Sequence, residues 1–151
     1  MTSLSLDTPT GRIWLLEEAG AITRAAWRPL GPEAPTPLLR EATAQLAAYF
    51  DGRLTAFDLP LRIAASPFQQ QVCAAIAAIP WGETRTYGDL ARTLQAPAQA
   101  VGQGCGGNPI PVIVPCHRVL SATGLGGFSG EGGVETKIWL LKHEGAASLL
   151  L

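Results

Sequence analysis

A cysteine followed at once by a histidine, Cys116-His117, sits between the apolar run Ile110 to Val114 and the pair Val119-Leu120. Sulfur attacks as the thiolate, so such a nucleophile needs a base or a positive field at neutral pH, and an imidazole can supply either. Adjacent side chains on an extended strand point to opposite sides. His117 therefore serves Cys116 only if the chain turns here, which Pro115 favours, or if a water bridges the two. The same pair also fits a buried structural thiol beside a satisfied histidine. Cys73 and Cys105 read as packing residues, and His143 is the second histidine. Three cysteines with no CxxC spacing and two histidines leave no ligand set for zinc and no disulfide framework, so no metal is expected. Reduced thiols fit a reducing compartment.

Local signals locate the elements that must hold this pair. Ser3 to Leu6, Arg12 to Glu17 and Ala21 to Trp27 alternate and are separated by turn residues, which predicts an antiparallel meander. Thr36 caps and Pro37 opens a helix with Leu39, Ala42, Leu46 and Phe50 on one stripe, ended by Gly52. Leu54 to Ala65 runs extended. Ser66-Pro67 repeats the cap-and-proline signal for a helix through Ile79 that faces Phe68, Val72, Ala75 and Ile79 inward. Thr86 with Asp89 three residues on predicts a capping-box start for a short helix to Leu94. After the break at Gln95-Ala96, a second segment runs from Pro97 to about Gly107, and the two read as a helix-turn-helix or as an ordinary helical corner. Pro109 to Val114 reads as extended and buried. A last helix from Val134 to His143, stopping at Gly145, turns Val134, Ile138 and Leu141 inward. The domain boundary falls just before Ser66, giving domains 1–65 and 66–151.

Composition sets outer limits. A hydrophobic fraction of 47% with 15% charged residues belongs to a folded chain. No apolar run approaches the roughly 18 residues of a membrane span, and Met1 to Ser5 lacks a secretory start, so a cytoplasmic address is expected. The net charge of -1 gives no global attraction to nucleic acid.

Beyond these signals lies an ordered set of motifs: Ser66-Pro67-Phe68-Gln69, Ile79-Pro80-Trp81-Gly82-Glu83-Thr84, Thr86-Tyr87, Ala100-Val101-Gly102 and Gly107-Asn108-Pro109. Ile113-Val114-Pro115-Cys116-His117-Arg118-Val119, Gly126-Gly127-Phe128-Ser129-Gly130 and Trp139-Leu140-Leu141-Lys142-His143-Glu144-Gly145 complete it. From Ser66 to Gly145 the chain resembles the O6-alkylguanine-DNA alkyltransferase family. The likeness reaches back weakly through Leu46 to Leu61.

The resemblance implies a fold and a reaction. The fold is α/β: a small N-terminal antiparallel sheet-plus-helix domain of ribonuclease-H-like form, then a mostly helical, winged-helix-like C-terminal domain with a helix-turn-helix. The reaction is single-turnover DNA repair, moving the alkyl group of O6-alkylguanine, and of O4-alkylthymine as a further substrate, from a flipped-out base in double-stranded DNA irreversibly to Cys116. No cofactor, no membrane and no obligate protein partner is implied, and the chain acts as a monomer. His117 works through a water as base and Glu144 orients it. Tyr87 protonates the base at N3. Ser129 meets guanine O6, the backbone of Cys116 and Val119 accepts from the exocyclic amine, and Asn108 holds the helix-turn-helix to the active-site loop. Ala98, Gln99, Ala100, Gly102, Arg92 and Arg118 form the DNA-binding set.

Two departures bear on this. The family places an arginine before Ala-Val-Gly, to enter the duplex where the flipped base was, and here Gln99 stands there. Glutamine fills the gap without the fixed cation. The segment Pro97 to Gly107 contains no Lys or Arg, and the region from Ser66 onward balances five basic residues against five acidic ones. These features motivate one alternative, an acceptor serving a non-duplex alkyl donor. A second, a non-catalytic lesion-binding relative, meets the objection that such relatives replace the cysteine.

Overall fold

The computed structural model describes residues 1–128, 130 and 132–146. The chain divides into two compact units, Met1–Ala64 and Ala65–Leu151.

In the first unit, β1 (Thr2–Thr8), β2 (Gly11–Glu18) and β3 (Ala21–Ala26) form an antiparallel sheet in the order β1-β2-β3. Both residues of the β2–β3 turn, Ala19 and Gly20, have positive φ (48° and 80°), the turn geometry that matches strand twist. Helix α1 (Pro37–Phe50) packs on the sheet, and its Thr36 cap accepts from the Leu39 amide at 3.0 Å. Leu39, Ala42 and Leu46 lie on its buried stripe as the periodicity indicates, but the stripe closes on Tyr49 and Phe50 is only half-buried. The Tyr49 ring packs between those of Phe50 and Phe57, at 5.1 and 5.5 Å. The segment read as extended from Leu54 to Ala65 pairs with β3 only around Leu61, through Ile22 N to Pro60 O (2.8 Å) and Arg62 N to Ile22 O (3.0 Å).

The second unit is mostly helical. Helix α2 (Pro67–Ala77) starts at its Ser66 cap, ends two residues short of Ile79, and buries Val72, Cys73 and Ile76 rather than the half-buried Phe68 and Ala75. The strand β4 (Arg85–Thr86) leads into α3 (Tyr87–Leu94), whose capping box is complete: Thr86 Oγ1 accepts from Asp89 N at 3.0 Å and Asp89 Oδ2 from Thr86 N at 2.9 Å. Gln95 takes the left-handed conformation (φ 52°) and three residues later α4 (Ala98–Gly106) begins, packed on α3 and α2. This is a helix-turn-helix arrangement. Gly104 is required at the α2–α4 crossing, since a Cβ there would meet Val72 Cγ2 at 2.9 Å.

The run Pro109 to Val114 is buried but not extended. Val112 has φ 72°, and Val114 N returns to Ile110 O at 2.8 Å, so the apolar residues pack a turn instead of a strand. A 3-10 turn, Cys116–Arg118, follows, and β5 (Val119–Leu120) pairs in parallel with β4. Helix α5 (Val134–His143) buries Thr136, Lys137, Leu140 and Leu141, while Val134 is exposed and Ile138 half-buried. Its inward face is thus rotated from the apolar reading, because the inward position 137 is a lysine. Among the described residues no helix is long and apolar enough to cross a membrane.

Candidate active site

The turn at Pro115 decides how the Cys-His pair is presented. With three residues per turn, a 3-10 helix sends three successive side chains in three directions. Cys116 Sγ faces a cavity of about 410 Å³ whose walls also include Tyr87, Gly102, Cys105, Gly106, Gly127 and Phe128. His117 and Arg118 both point into the protein, where they meet Glu144 at the C-terminus of α5.

His117 is fully buried, and its Nε2 lies 2.7 Å from Glu144 Oε2. Its Nδ1 has no hydrogen-bond partner among the described residues. An ionised carboxylate accepts hydrogen bonds, so the proton belongs on Nε2 and Nδ1 is left basic. Burial pushes the imidazole below its ordinary pKa; Glu144 pulls it back up, and the charges of Arg118 and Lys137 lower it further.

Arg118 was placed on the DNA-binding face, and the structure corrects this. Its side chain is buried, with Nε donating to Glu144 Oε1 at 2.8 Å, Nη2 to Glu144 Oε2 at 3.0 Å and Nη1 to the Ile79 carbonyl. All of these bonds are internal. The forked pair also offsets the unfavourable position of a carboxylate at a helix C-terminus.

Around the thiol, burial is the largest influence and raises the Cys116 pKa, while a hydrogen bond from Asn108 and the charge of Lys137 lower it. Asn108 is itself fixed, its Nδ2 donating to Val114 O at 2.8 Å and its Oδ1 accepting from Ile110 N at 3.0 Å. It thereby ties the end of α4 to the turn carrying the cysteine. Tyr87, the first residue of α3, is half-buried against the cavity, and burial followed by the two nearby thiols, Cys105 and Cys116, keeps its phenol protonated.

Two residues of this site were not singled out from sequence. Lys137 is fully buried, and its Nζ donates to Val119 O at 2.7 Å and Gly127 O at 2.9 Å, joining β5 to the glycine-rich loop over the cavity. Burial brings its pKa down to about 8, and the neighbouring thiols Cys116 and Cys105 hold it up. Its signal was present: Lys137, Leu140, Leu141 and Glu144 are spaced i, i+3, i+4, i+7, a single helical stripe with a charge at each end. Cys105 is buried as a packing residue should be, yet it also lines the cavity; burial and the Cys116 charge push its pKa to about 12. Cys73, by contrast, sits inside α2 with Gln69 Nε2 3.5 Å from its sulfur.

The remaining sequence-derived positions divide by exposure. Ala98, Gln99 and Arg92 are exposed, Ala100 is half-exposed and Gly102 lines the cavity. Arg92 pairs with Asp89 at 2.5 Å. Val119 is buried, with its carbonyl on Lys137. Ser129 lies outside the described residues. Among the described residues no group of three or more His, Cys, Asp or Glu is placed to hold a metal ion.

Comparison with known proteins places this geometry. Residues 3–63 match the family model "6-O-methylguanine DNA methyltransferase, ribonuclease-like domain". Residues 67–146 match "6-O-methylguanine DNA methyltransferase, DNA binding domain". The methylated-DNA--protein-cysteine methyltransferase of Mycobacterium leprae is 39% identical over 97% of this chain and 96% of its own length. That of Mycobacterium bovis is 45% identical over 93% of this chain and 90% of its own. The crystal structure of Mycobacterium tuberculosis OGT in complex with DNA superposes with a TM-score of 0.84 at 40% identity, covering 95% of this chain and 93% of that one. With both domain models matched in order and relatives aligned along nearly its whole length, the chain belongs to the 6-O-methylguanine DNA methyltransferase family.

Proposed function

We propose that this chain repairs DNA by accepting, once per molecule, the alkyl group of O6-alkylguanine on Cys116. The observation that carries the reading is the cavity itself: a thiol on one wall, a phenol on another, and a fully buried histidine behind the thiol held by a carboxylate at 2.7 Å. In the reaction the Cys116 proton passes through a bridging water to His117 Nδ1 while Glu144 stabilises the imidazolium. The sulfur attacks the alkyl carbon, the carbon–O6 bond breaks, and Tyr87 delivers a proton to N3 of the departing guanine. The product is a thioether, from which no group at the site can remove the alkyl carbon, so the turnover is single.

The helix pair α3–α4 presents Ala98, Gln99, Ala100, Gly102 and Arg92 toward double-stranded DNA, and the glycines allow close approach to the groove. Ser129 and the Val119 backbone meet the flipped base, and Asn108 couples that base pocket to α4. The protein works as a cytoplasmic monomer in which domain 66–151 carries both DNA binding and chemistry.

Intact-protein mass spectrometry after incubation with duplex DNA containing O6-methylguanine tests this. One methyl per chain, mapped to Cys116 and lost in Cys116→Ser with duplex binding retained, is expected. A methyl on Cys73 or Cys105, or repeated turnovers, would exclude the assignment.

A further inference from the structure

The cluster behind Cys116 contains one more charge than a Cys-water-His-Glu relay requires. Arg118 engages both oxygens of Glu144, at 2.8 and 3.0 Å, in a space where neither side chain reaches solvent appreciably. Burial makes an unbalanced charge costly, so the net charge of such a cluster tends to zero. With Arg118 positive and Glu144 negative, that bonded pair is neutral with His117 uncharged, and the buried Lys137 cation opposes a charge on His117 further. Without Arg118 the fork on Glu144 is lost and a further proton on the His117–Glu144 pair is opposed by the charge of Lys137 alone.

We propose that Arg118 is a positioning residue whose charge, by balancing Glu144, keeps His117 an unprotonated base at rest. This rests on the reading of Cys116 as alkyl acceptor and His117 as its base. A base already carrying a proton cannot accept the one on Cys116. With Arg118 in place, moving that proton to His117 leaves the cluster's total charge unchanged: the thiolate and the imidazolium form together. The other charged group acting on His117 is Lys137 on α5; like Arg118 it disfavours the imidazolium, and Glu144 opposes both. From α2 the Cys73 thiol influences Cys116, and burial keeps it protonated. The correction of Arg118 from the DNA face to the interior is therefore also a change of role.

The test is the pH dependence of single-turnover methyl transfer, at saturating protein, from about pH 5 to about pH 9, for wild type, R118M, R118K, E144Q and R118M/E144Q. R118M should move the acid limb of the profile to higher pH, with about tenfold loss below the limb for each pH unit of displacement and recovery above it. E144Q, which leaves Arg118 unbalanced, should move the limb the opposite way. The double variant, which restores the wild-type net charge, should return it near the wild-type position. R118K keeps the charge without the fork and should keep the limb while lowering the plateau. A loss by one common factor at every pH in R118M, or a double variant shifted as far as R118M, would overturn the proposal. Should R118M fail to fold, a limb moved to lower pH in E144Q but unmoved in R118K supports the proposal, and a limb unmoved in E144Q or displaced in R118K overturns it. Ring nitrogen and carboxyl carbon NMR signals of His117 and Glu144 count the protons on the pair without any alkyl donor. One in wild type and two in R118M are expected, and one in both would again overturn it. Absence of methyl on wild-type Cys116 would sink the functional reading alone, since the proton count stands apart from it.

Discussion

Of the three glycines in helix α4, Gly102 and Gly104 lie two residues apart, on nearly opposite faces and in opposite surroundings, and substituting each by alanine separates packing from function. At Gly102 a Cβ meets nothing within 4 Å; at Gly104 it meets three atoms of Val72, at 2.9, 3.0 and 3.1 Å. Both changes gain helix propensity, up to about 1 kcal/mol. At Gly104 that gain is opposed by overpacking of about 1–3 kcal/mol. Val72 is fully buried and β-branched, so its side chain has little room to rotate away. G104A should therefore lie about 1–3 kcal/mol below G102A in urea unfolding, with wild type between them or near G104A. Function should sort the other way for G102A, because that residue lines the cavity beside Cys116 and belongs to the proposed DNA-facing set. A protein as stable as wild type, or more so, should repair duplex DNA more slowly. Equal stability of the two variants would show that the α2–α4 contact yields, refuting the packing argument. Undiminished duplex repair by G102A would remove Gly102 from the DNA-facing set.

Three further outcomes are expected. His117→Ala and Glu144→Ala act on one proton path, so the double variant should transfer alkyl groups little more slowly than the worse single, and additive losses would mean separate roles. Lys137 has its pKa brought from 10.5 to about 8, so its charged form costs the fold about 3 kcal/mol, a cost present below pH 8 and relieved as pH rises from there toward 10.5. Lys137→Met removes that cost but strips the donor from Val119 O and Gly127 O. Its stability relative to wild type, followed by denaturant unfolding, should therefore be most favourable at neutral pH and decline above pH 8; a difference independent of pH would mean that folding does not lower the Lys137 pKa. Gln99→Arg, at the exposed start of α4, should raise the second-order repair rate on duplex DNA severalfold while leaving reaction with the free base unchanged; a slower duplex reaction would make Gln99 an adapted element.

What the sequence by itself determined is what depends on neighbours within about one turn of chain. The caps at Thr36, Ser66 and Thr86 each rest on a side chain reaching an amide three residues on, and all three form. The meander and its turn, the helix pair, and the Pro-Cys-His-Arg motif were legible for the same reason. The faces of the helices were not. Apolar periodicity chose Phe50 over Tyr49, Phe68 and Ala75 over Cys73 and Ile76, and Val134 and Ile138 over Lys137 and Leu140, because the direction a helix faces is set by what packs against it. Nor did spacing reveal that Pro109 to Val114 would turn at Val112 with φ 72°. Arg118 shows the limit most sharply. The family resemblance puts it in the DNA-binding set, but the 3-10 turn aims it inward to a carboxylate 26 residues away. Local chemistry is written in adjacent residues; whether a charge meets solvent, DNA or a buried counter-charge depends on distant segments that only the folded chain brings together, since burial is a property of the surroundings and not of the residue.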